Sequence, residues 1–202
     1  ESQIIVDNTN INQETGSNST LNTLLFGGSF TRNNLSFSQN GERCESNMNG
    51  VVILDNVEFA DNHTYMDHLK ANCESNELYK GIYLGKSKGV FNGKIMVRPD
   101  AQKINAFQAN NNLLLSDDSS INSKPQLEIY ADDVKCSHGC TIGQLDEDAI
   151  FYMNTRGISK EDAKAILTYA FASDALNKIS IPHLYDVAKD LISKKLNVDL
   201  SF

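Results

Sequence analysis

The chain has 202 residues and a formal net charge of −8, from 18 Lys and Arg against 26 Asp and Glu. Hydrophobic residues make up 40% of it, and no apolar run approaches the ~20 residues that a membrane span needs. Proteins that bind nucleic acid carry clustered Lys and Arg, which this acidic chain lacks. We therefore expect neither a membrane protein nor a nucleic-acid-binding protein.

The cysteine content predicts a reduced protein. Four cysteines in a chain of this length do not make a disulfide scaffold, so we expect a cytoplasmic location. The sequence has no initiator Met and shows no signal peptide, and we expect it to begin inside a longer protein.

The region from residue 1 to about 145 is predicted to be a β domain. Short apolar runs such as 51–54, 82–84 and 93–97 are separated by Gly, Asn and Asp, which accept left-handed turn conformations. Many short strands at this spacing are typical of a sandwich, a barrel or a β-helix. The absence of Trp, the Asn-rich turns and the lack of a hairpin series favour a solenoid, but the pattern leaves sandwich and β-helix open.

Residues 146–202 are predicted to form a small helical domain of three helices. The first spans about 146–156, with acidic residues at its positive N-terminus. Ser159 opens the second with a capping box to Asp162, and Pro182 lies in the first turn of the third. So short a region has little core of its own, so we expect it to dock on the β region or on a partner.

Apolar residues at helical spacing predict which face of each helix is turned toward a core. In the second helix the face comprises Ala163, Ile166, Leu167, Ala170 and Phe171. In the third it comprises Leu184, Val187, Ala188, Leu191 and Ile192. The face of the second helix either packs against the third helix or binds a partner. Phe151, in the first helix, is expected in the core.

The segment 135–143 carries the strongest chemical signal. It places Cys136, His138 and Cys140 at alternate positions, which share one face of a β-strand. Two thiols and an imidazole are soft and borderline ligands, so they suggest metal or sulfur chemistry. The alternative is that they are packing residues, since free cysteine is among the most buried residue types.

The spacing of this trio limits what it can bind. Alternate residues of a strand lie ~6.5–7 Å apart, whereas two ligands of one metal lie within ~4.5 Å of each other. Either Gly139 bends the strand into a bulge, or a second chain supplies further ligands. A cysteine nucleophile is not expected, because nothing marks an orienting group or an oxyanion hole.

A second polar cluster contains His63, Asp67 and His68. These residues could be metal ligands, but in an extended segment His63 and Asp67 share one face and His68 points to the other. We interpret them as structural polar residues. The chain also lacks a phosphate-binding loop of the P-loop type, so any ATP chemistry is expected to belong to a partner.

Ten segments of the chain resemble one protein family in their order and spacing. They are DNHT (61–64), DH (67–68), ELYKG (77–81), GVFNGKI (89–95), AQK (101–103), LLLS (113–116), KPQLEIYADDVKCSHG (124–139), GQLD (143–146), FY (151–152) and RGI (156–158). The chain is therefore identified as a member of the SufB/SufD family, within which it resembles the SufD subunits. These proteins are scaffold subunits of the SUF iron–sulfur cluster assembly machinery. Family members are about twice as long, so this sequence corresponds to their C-terminal half.

The resemblance implies a mainly β protein: a right-handed parallel β-helix followed by a C-terminal helical domain. It implies a non-catalytic scaffold that pairs with SufB through the β-helices. It also implies that the SufC ATPase docks on the C-terminal helices, for which we take the face at Ala163, Ile166, Leu167, Ala170 and Phe171. Because the ends of a solenoid are exposed edges, the isolated chain can also self-associate as a homodimer.

The resemblance also gives the trio a role. Cys136 and His138 would face SufB and hold iron or a nascent Fe–S cluster in transit, so no intrinsic cofactor is expected. Cys140 is the weaker member, since it stands where Ala is common in the family.

One alternative from another class is a secreted β-helix protein that binds or cleaves carbohydrate. Such proteins carry paired carboxylates in a surface cleft rather than Cys and His on one strand. Four free thiols would tell against it.

Overall fold

The computed structural model describes residues 3–196 as ten strands and three helices. The strands are β1 (Ile4–Gln13), β2 (Asn18–Leu25), β3 (Phe30–Gln39), β4 (Glu45–Leu54), β5 (Phe59–His68), β6 (Glu74–Tyr83), β7 (Lys88–Val97), β8 (Ile104–Leu114), β9 (Ser120–Ile129) and β10 (Val134–Gly143). The helices are α1 (Glu147–Thr155), α2 (Lys160–Leu176) and α3 (Pro182–Leu196).

The strands form two parallel sheets. The odd-numbered strands follow the order β1-β3-β5-β7-β9, and the even-numbered strands follow the order β10-β8-β6-β4-β2. Each strand pairs in parallel with the strand two places further along the chain, so one odd and one even strand make one turn of a solenoid of about five turns. The predicted parallel β-helix followed by helices is confirmed, and the sandwich is excluded.

The alternation of apolar and polar residues sets which side chains enter the solenoid. In β3, Leu35 and Phe37 are buried at 1% and 0% exposure, while the alternating residues Asn34 and Ser36 face outward. Stacking of such residues from turn to turn gives a continuous apolar column that also holds Met48, Met66 and Ile95. Burial of these side chains is the main stabilising contribution.

The Gly and Asn residues that separate the apolar runs in the sequence occur in two places in the structure: at corners between strands and inside strands. Several corners between strands adopt left-handed backbone conformations. They include Asn56, Asn72 and Gly85, whose residue types were predicted for turns, and Arg43 and Lys103, whose residue types were not. Not every Gly and Asn signal marks a turn, because the Asn-Gly pairs at 49–50 and 92–93 lie inside β4 and β7. A Cβ on Gly50 would overlap the ring of Tyr79, its register neighbour on β6, so packing between stacked turns, not backbone conformation, requires this glycine.

The four cysteines are all free, which agrees with the prediction of reduced thiols. Cys44 and Cys73 are buried and belong to the apolar cluster of Phe37 and Met48. Cys136 is half-buried against the same cluster, and Cys140 is exposed.

The helices begin where the sequence predicts. Asp146 caps α1 by accepting a hydrogen bond from the backbone N–H of Asp148 at 2.9 Å. Ser159 caps α2 by accepting one from Asp162 at 3.0 Å. No helix within residues 3–196 is both long and apolar enough to cross a membrane.

The helical region packs on the outer face of the even-numbered sheet. Ala172 and Leu176 of α2 share a hydrophobic cluster with Val51 of β4 and Ile82 of β6. Lys80 of β6 lies in the same contact. Its Nζ is 2.9 Å from Asp174 Oδ2 and 4.4 Å from the centre of the Phe171 ring. A second ion pair joins Lys195 of α3 to Glu58 at 2.7 Å.

The predicted buried face of α2 was partly wrong. Ala170 is exposed, and the fully covered side is made of smaller residues: Ala163, Ala165, Thr168, Ala172, Ala175 and Leu176. Small side chains let the helix backbone approach a sheet that already carries Val, Ile and Lys side chains. Phe151 was expected in the core but is 69% exposed, and Val187 and Leu191 of α3 are each 39% exposed.

The contact between α2 and the sheet yields a stability prediction. Leu176→Ala removes a fully buried side chain and should lower the free energy of unfolding by about 2–5 kcal/mol. Leu191→Ala, in the partly exposed position on α3, is the matched control and should cost under ~1 kcal/mol. Urea unfolding of both variants measures this. Equal losses would show that α2 does not depend on this contact.

Candidate functional site

Strand β10 ends the even-numbered sheet and has one neighbour. It pairs with β8 residue for residue, from Val134 opposite Ile104 to Gly143 opposite Leu113. The one-to-one register shows that Gly139 makes no bulge. Within residues 3–196 no strand pairs with its other edge, so backbone N–H and C=O groups along ten residues are open to a partner strand.

Cys136, His138 and Cys140 all point toward the interior side of the solenoid. Their register partners on β8 are buried at 0–3% exposure: Ala106, Gln108 and Asn110. Because β10 belongs to the last turn, nothing covers the trio from above within the described residues. Cys136 is half-buried, whereas His138 and Cys140 are exposed. The trio therefore lines the open end of the interior.

These three side chains do not converge on one ion. The strand is regular, so they keep the ~6.5–7 Å spacing of alternate positions. Between residues 3 and 196 no three Cys, His, Asp or Glu side chains come close enough to hold a metal. Burial raises the pKa of the Cys136 thiol, which a hydrogen bond with the backbone of Ala106 opposes. Its conversion to a thiolate ligand therefore needs help from a bound metal or a partner.

A column of polar side chains leads inward from His138. In the even-numbered sheet the register runs from His138 to Gln108, then to Glu77, then to Met48. The amide nitrogen of Gln108 donates a hydrogen bond to Glu77 Oε2 at 2.6 Å. Glu77 is 4% exposed and Gln108 is 3% exposed.

The odd-numbered strands face this column from the other sheet. They leave space for the Gln108 side chain and close the inner end of the column. Their register runs from Pro125 to Gly93, Thr64 and Leu35. A Cβ on Gly93 would overlap the amide nitrogen of Gln108, so glycine is needed opposite that side chain. Leu35 and Met48, at 1% and 0% exposure, form an apolar floor. The column is therefore blind and opens at the end that carries His138.

Burial raises the pKa of Glu77 to about 7, and the nearby Thr64 hydroxyl and the hydrogen bond from Gln108 oppose this rise. Sequence reasoning missed Glu77 and Gln108. The available signal was a polar residue at an inward position, between Ser75 and Tyr79 in one strand and between Ala106 and Asn110 in the other.

The second polar cluster is dispersed, as predicted. His63 lies on the outer face of β5, with Nε2 2.8 Å from Asp61 Oδ1, and Asp67 pairs with Arg98 at 2.9 Å. His68 points inward, where Nε2 is 2.9 Å from Ser75 Oγ. Burial lowers the pKa of His68 to about 4. These residues stabilise the solenoid and do not share a metal site.

The five residues proposed for docking on α2 do not form one exposed patch. Ala163 is fully buried, and Phe171 lies beneath Lys80. Ile166 and Leu167 are half-buried, and Ala170 is exposed. Among residues 146–196, the most exposed aromatic side chains are those of Phe151 and Tyr152 on α1, at 69% and 59%.

The fold and the site together define a class: a parallel β-solenoid scaffold with a thiol and an imidazole at an open strand edge. The sequence matches the family model described as "SUF system FeS cluster assembly, SufBD core domain" over residues 1–171. The chain belongs to this family, as its motifs predicted. The match favours iron–sulfur assembly over the carbohydrate alternative.

Individual relatives are similar to this chain over most of its length. The chain is 43% identical over 152 residues to the iron–sulfur cluster assembly protein SufD of Escherichia coli (75% of this chain, 36% of the relative). It is 37% identical over 167 residues to an iron–sulfur cluster assembly SufBD family protein of Synechocystis (83% and 37%). It is 35% identical over 183 residues to "Protein ABCI7, chloroplastic" of Arabidopsis thaliana (89% and 38%). The chain thus spans well under half the length of these relatives.

Thiol reactivity should follow the burial of the cysteines. A thiol reagent applied to the native protein should label Cys140 fastest and Cys136 more slowly, because burial raises the pKa of Cys136. Cys44 and Cys73 should react after unfolding. Mass spectrometry of timed samples gives the order. Early labelling of Cys73 would contradict the packing described here.

Two buried groups should give opposite pH dependences of stability. The pKa of Glu77 is raised from its usual 4.5 to about 7. Its protonated form therefore contributes to the free energy of unfolding below pH 4.5, and this contribution is lost as the pH rises to about 7. The pKa of His68 is lowered from 6.5 to about 4. Its neutral form therefore contributes to the free energy of unfolding above pH 6.5, and this contribution is lost as the pH falls through that range. The two effects oppose each other between pH 4.5 and 6.5.

Single substitutions should separate them. Glu77→Gln should leave a protein whose free energy of unfolding rises between pH 4.5 and 6.5, by roughly 3 kcal/mol at most. His68→Gln copies Gln39, its register partner in the previous turn, and should leave the opposite slope. Urea unfolding at pH 5 and pH 7 tests both variants. Slopes of the same sign would be evidence against this assignment.

Proposed function

We propose that this chain is the cluster-assembly region of a SufD-type scaffold subunit, and that it holds iron or a nascent cluster with a SufB-type partner. The observation that carries the proposal is the position of Cys136 and His138 beside the open edge of β10. The iron or cluster is cargo that passes through the site.

The open edge suits a homologous partner. A strand with a free edge binds another strand through its backbone, which gives affinity without demanding particular side chains. A SufB-type solenoid would offer the same kind of edge, so the two sheets can join across β10. The cargo site then lies where the two chains meet.

The ligand geometry also requires a partner. Cys136 and His138 lie too far apart on a regular strand to bind one ion together. Each can instead supply one ligand, and the partner's side chains complete the set. Thiolate and imidazole suit iron and iron–sulfur clusters. Cys140 is exposed on the same face but is a secondary candidate.

The chain acts as a scaffold, and ATP hydrolysis belongs to a SufC-type partner. That ATPase docks on the helical region. Since Ala163 and Phe171 are covered, its contacts come from the accessible parts of Ile166, Leu167 and Ala170, together with Phe151 of α1.

Motion of the ATPase can reach the solenoid through α2. This helix is tied to β4 and β6 by the apolar cluster and by the Lys80–Asp174 ion pair. An ATPase state that binds one arrangement of the helices more tightly would shift the population of the β10 interface. Thiol ligands also require a reducing compartment, such as a bacterial cytoplasm.

The test is anaerobic cluster reconstitution on the full-length protein purified with its SufB-type and SufC-type partners. His138→Ala and Cys136→Ala should each reduce cluster absorbance at least several-fold while the complex stays intact by size-exclusion chromatography. Ser137→Ala, which lies between them and points outward, is the matched control and should behave as the wild type. Normal cluster yield in both site variants would overturn the proposal.

A further inference from the structure

We infer that Gln108 and Glu77 position His138: the amide oxygen of Gln108 accepts the N–H of one imidazole nitrogen, so the other nitrogen is free to bind cargo. This inference rests on the proposed function for the meaning of His138, but its geometry can be tested separately. Gln108 and Glu77 are positioning residues, since they act through His138.

The register brings the two side chains together. Gln108 and His138 are partners on adjacent parallel strands, so they lie on the same face with backbones ~4.8 Å apart. A glutamine side chain reaches a neighbour at that separation. His138 is the next side chain in the column and the one whose ring can donate an N–H to it.

Glu77 sets the orientation of the amide. An ionised carboxylate can accept hydrogen bonds but cannot donate them, so it selects the nitrogen of Gln108, as the 2.6 Å contact shows. The amide oxygen then occupies the opposite branch of the side chain. It is buried and has no hydrogen-bond partner within residues 3–196. Buried acceptors are normally paired, so this oxygen needs a donor.

The surroundings favour His138 as the donor. The floor of the column is apolar at Leu35 and Met48, and Gly93 has no side chain. Pro125, which follows Gly93 in register, has no donor group at all. Thr64, which precedes Gly93 in register, has a hydroxyl, but that hydroxyl acts on the Glu77 carboxylate one turn deeper than Gln108. The open end at His138 is the direction left for the amide oxygen.

The consequence is chemical. A neutral histidine that donates one N–H to a fixed acceptor is held in one tautomer, with the lone pair of the other nitrogen available as a ligand. Ligating histidines usually have such a partner, and its loss lowers metal affinity. Here the partner is an amide, and a carboxylate one turn deeper fixes that amide in turn.

The experiment is ¹⁵N NMR of the full-length protein with labelled histidine, without iron, at pH 8, where Glu77 is ionised. Loss of a signal in His138→Asn assigns that residue. In the wild type His138 should show one predominant tautomer. In Gln108→Leu it should show the mixture of an unconstrained imidazole. Asn110→Leu removes a buried amide from the same face of β8 and should leave the tautomer unchanged.

Two further readouts separate positioning from folding. The signal of buried His68 should be the same in all variants, which shows that the solenoid is intact. Glu77→Gln keeps an acceptor for Gln108 and should retain the wild-type tautomer, whereas Glu77→Leu should lose it. The same tautomer mixture in wild type and Gln108→Leu would overturn the inference.

Cluster reconstitution then distinguishes this inference from the proposed function. Gln108→Leu should lower cluster yield about as much as His138→Ala, and Asn110→Leu should not. If His138→Ala itself assembles clusters normally, the proposed function fails, while the NMR result still decides whether Gln108 orients His138.

Discussion

The in-register stacking of parallel turns is the constraint on which the rest of the structure depends. Every inward side chain lies directly against the one a turn earlier, because parallel pairing fixes the register along whole strands. Apolar residues therefore collect in continuous columns, as at Phe37, Met66 and Ile95. Polar residues must do the same, since an isolated polar group inside would lack a partner. The blind column of Glu77 and Gln108 follows from this rule.

The same stacking explains why the chemistry lies at an end. Inside the solenoid each strand is hydrogen-bonded on both sides, and its inward face is filled. At β10, as far as residues 3–196 show, one edge is free and the inward face is uncovered. Cys136 and His138 thus combine a fixed backbone with accessible side chains. An open edge favours unspecific association, which the proposed SufB-type partner strand would prevent.

The helices give the solenoid a lateral attachment. Lys80 is an interior-strand residue that points outward, yet its side chain is 7% exposed because Asp174 and the Phe171 ring cover it. Together with the Glu58–Lys195 pair, this links α2 and α3 to the middle turns of the solenoid, not to its open end. A force on the helices would therefore act on strands two and three turns away from β10.

The sequence alone determined the local features and the family. Alternation placed Cys136, His138 and Cys140 on one face, Ser159 marked a helix start, and the motifs up to the KCSHG segment identified the SufBD core. These depend on neighbours within a few residues or on the order of motifs. Alternation did not distinguish a sandwich from a solenoid, since both alternate in the same way, and it was the family resemblance that implied the solenoid. The contact of Gln108 with Glu77 depends on the length of one solenoid turn, and the exposure of Phe151 depends on how α1 packs. Tertiary structure decided these points, because they join residues that local pattern does not relate.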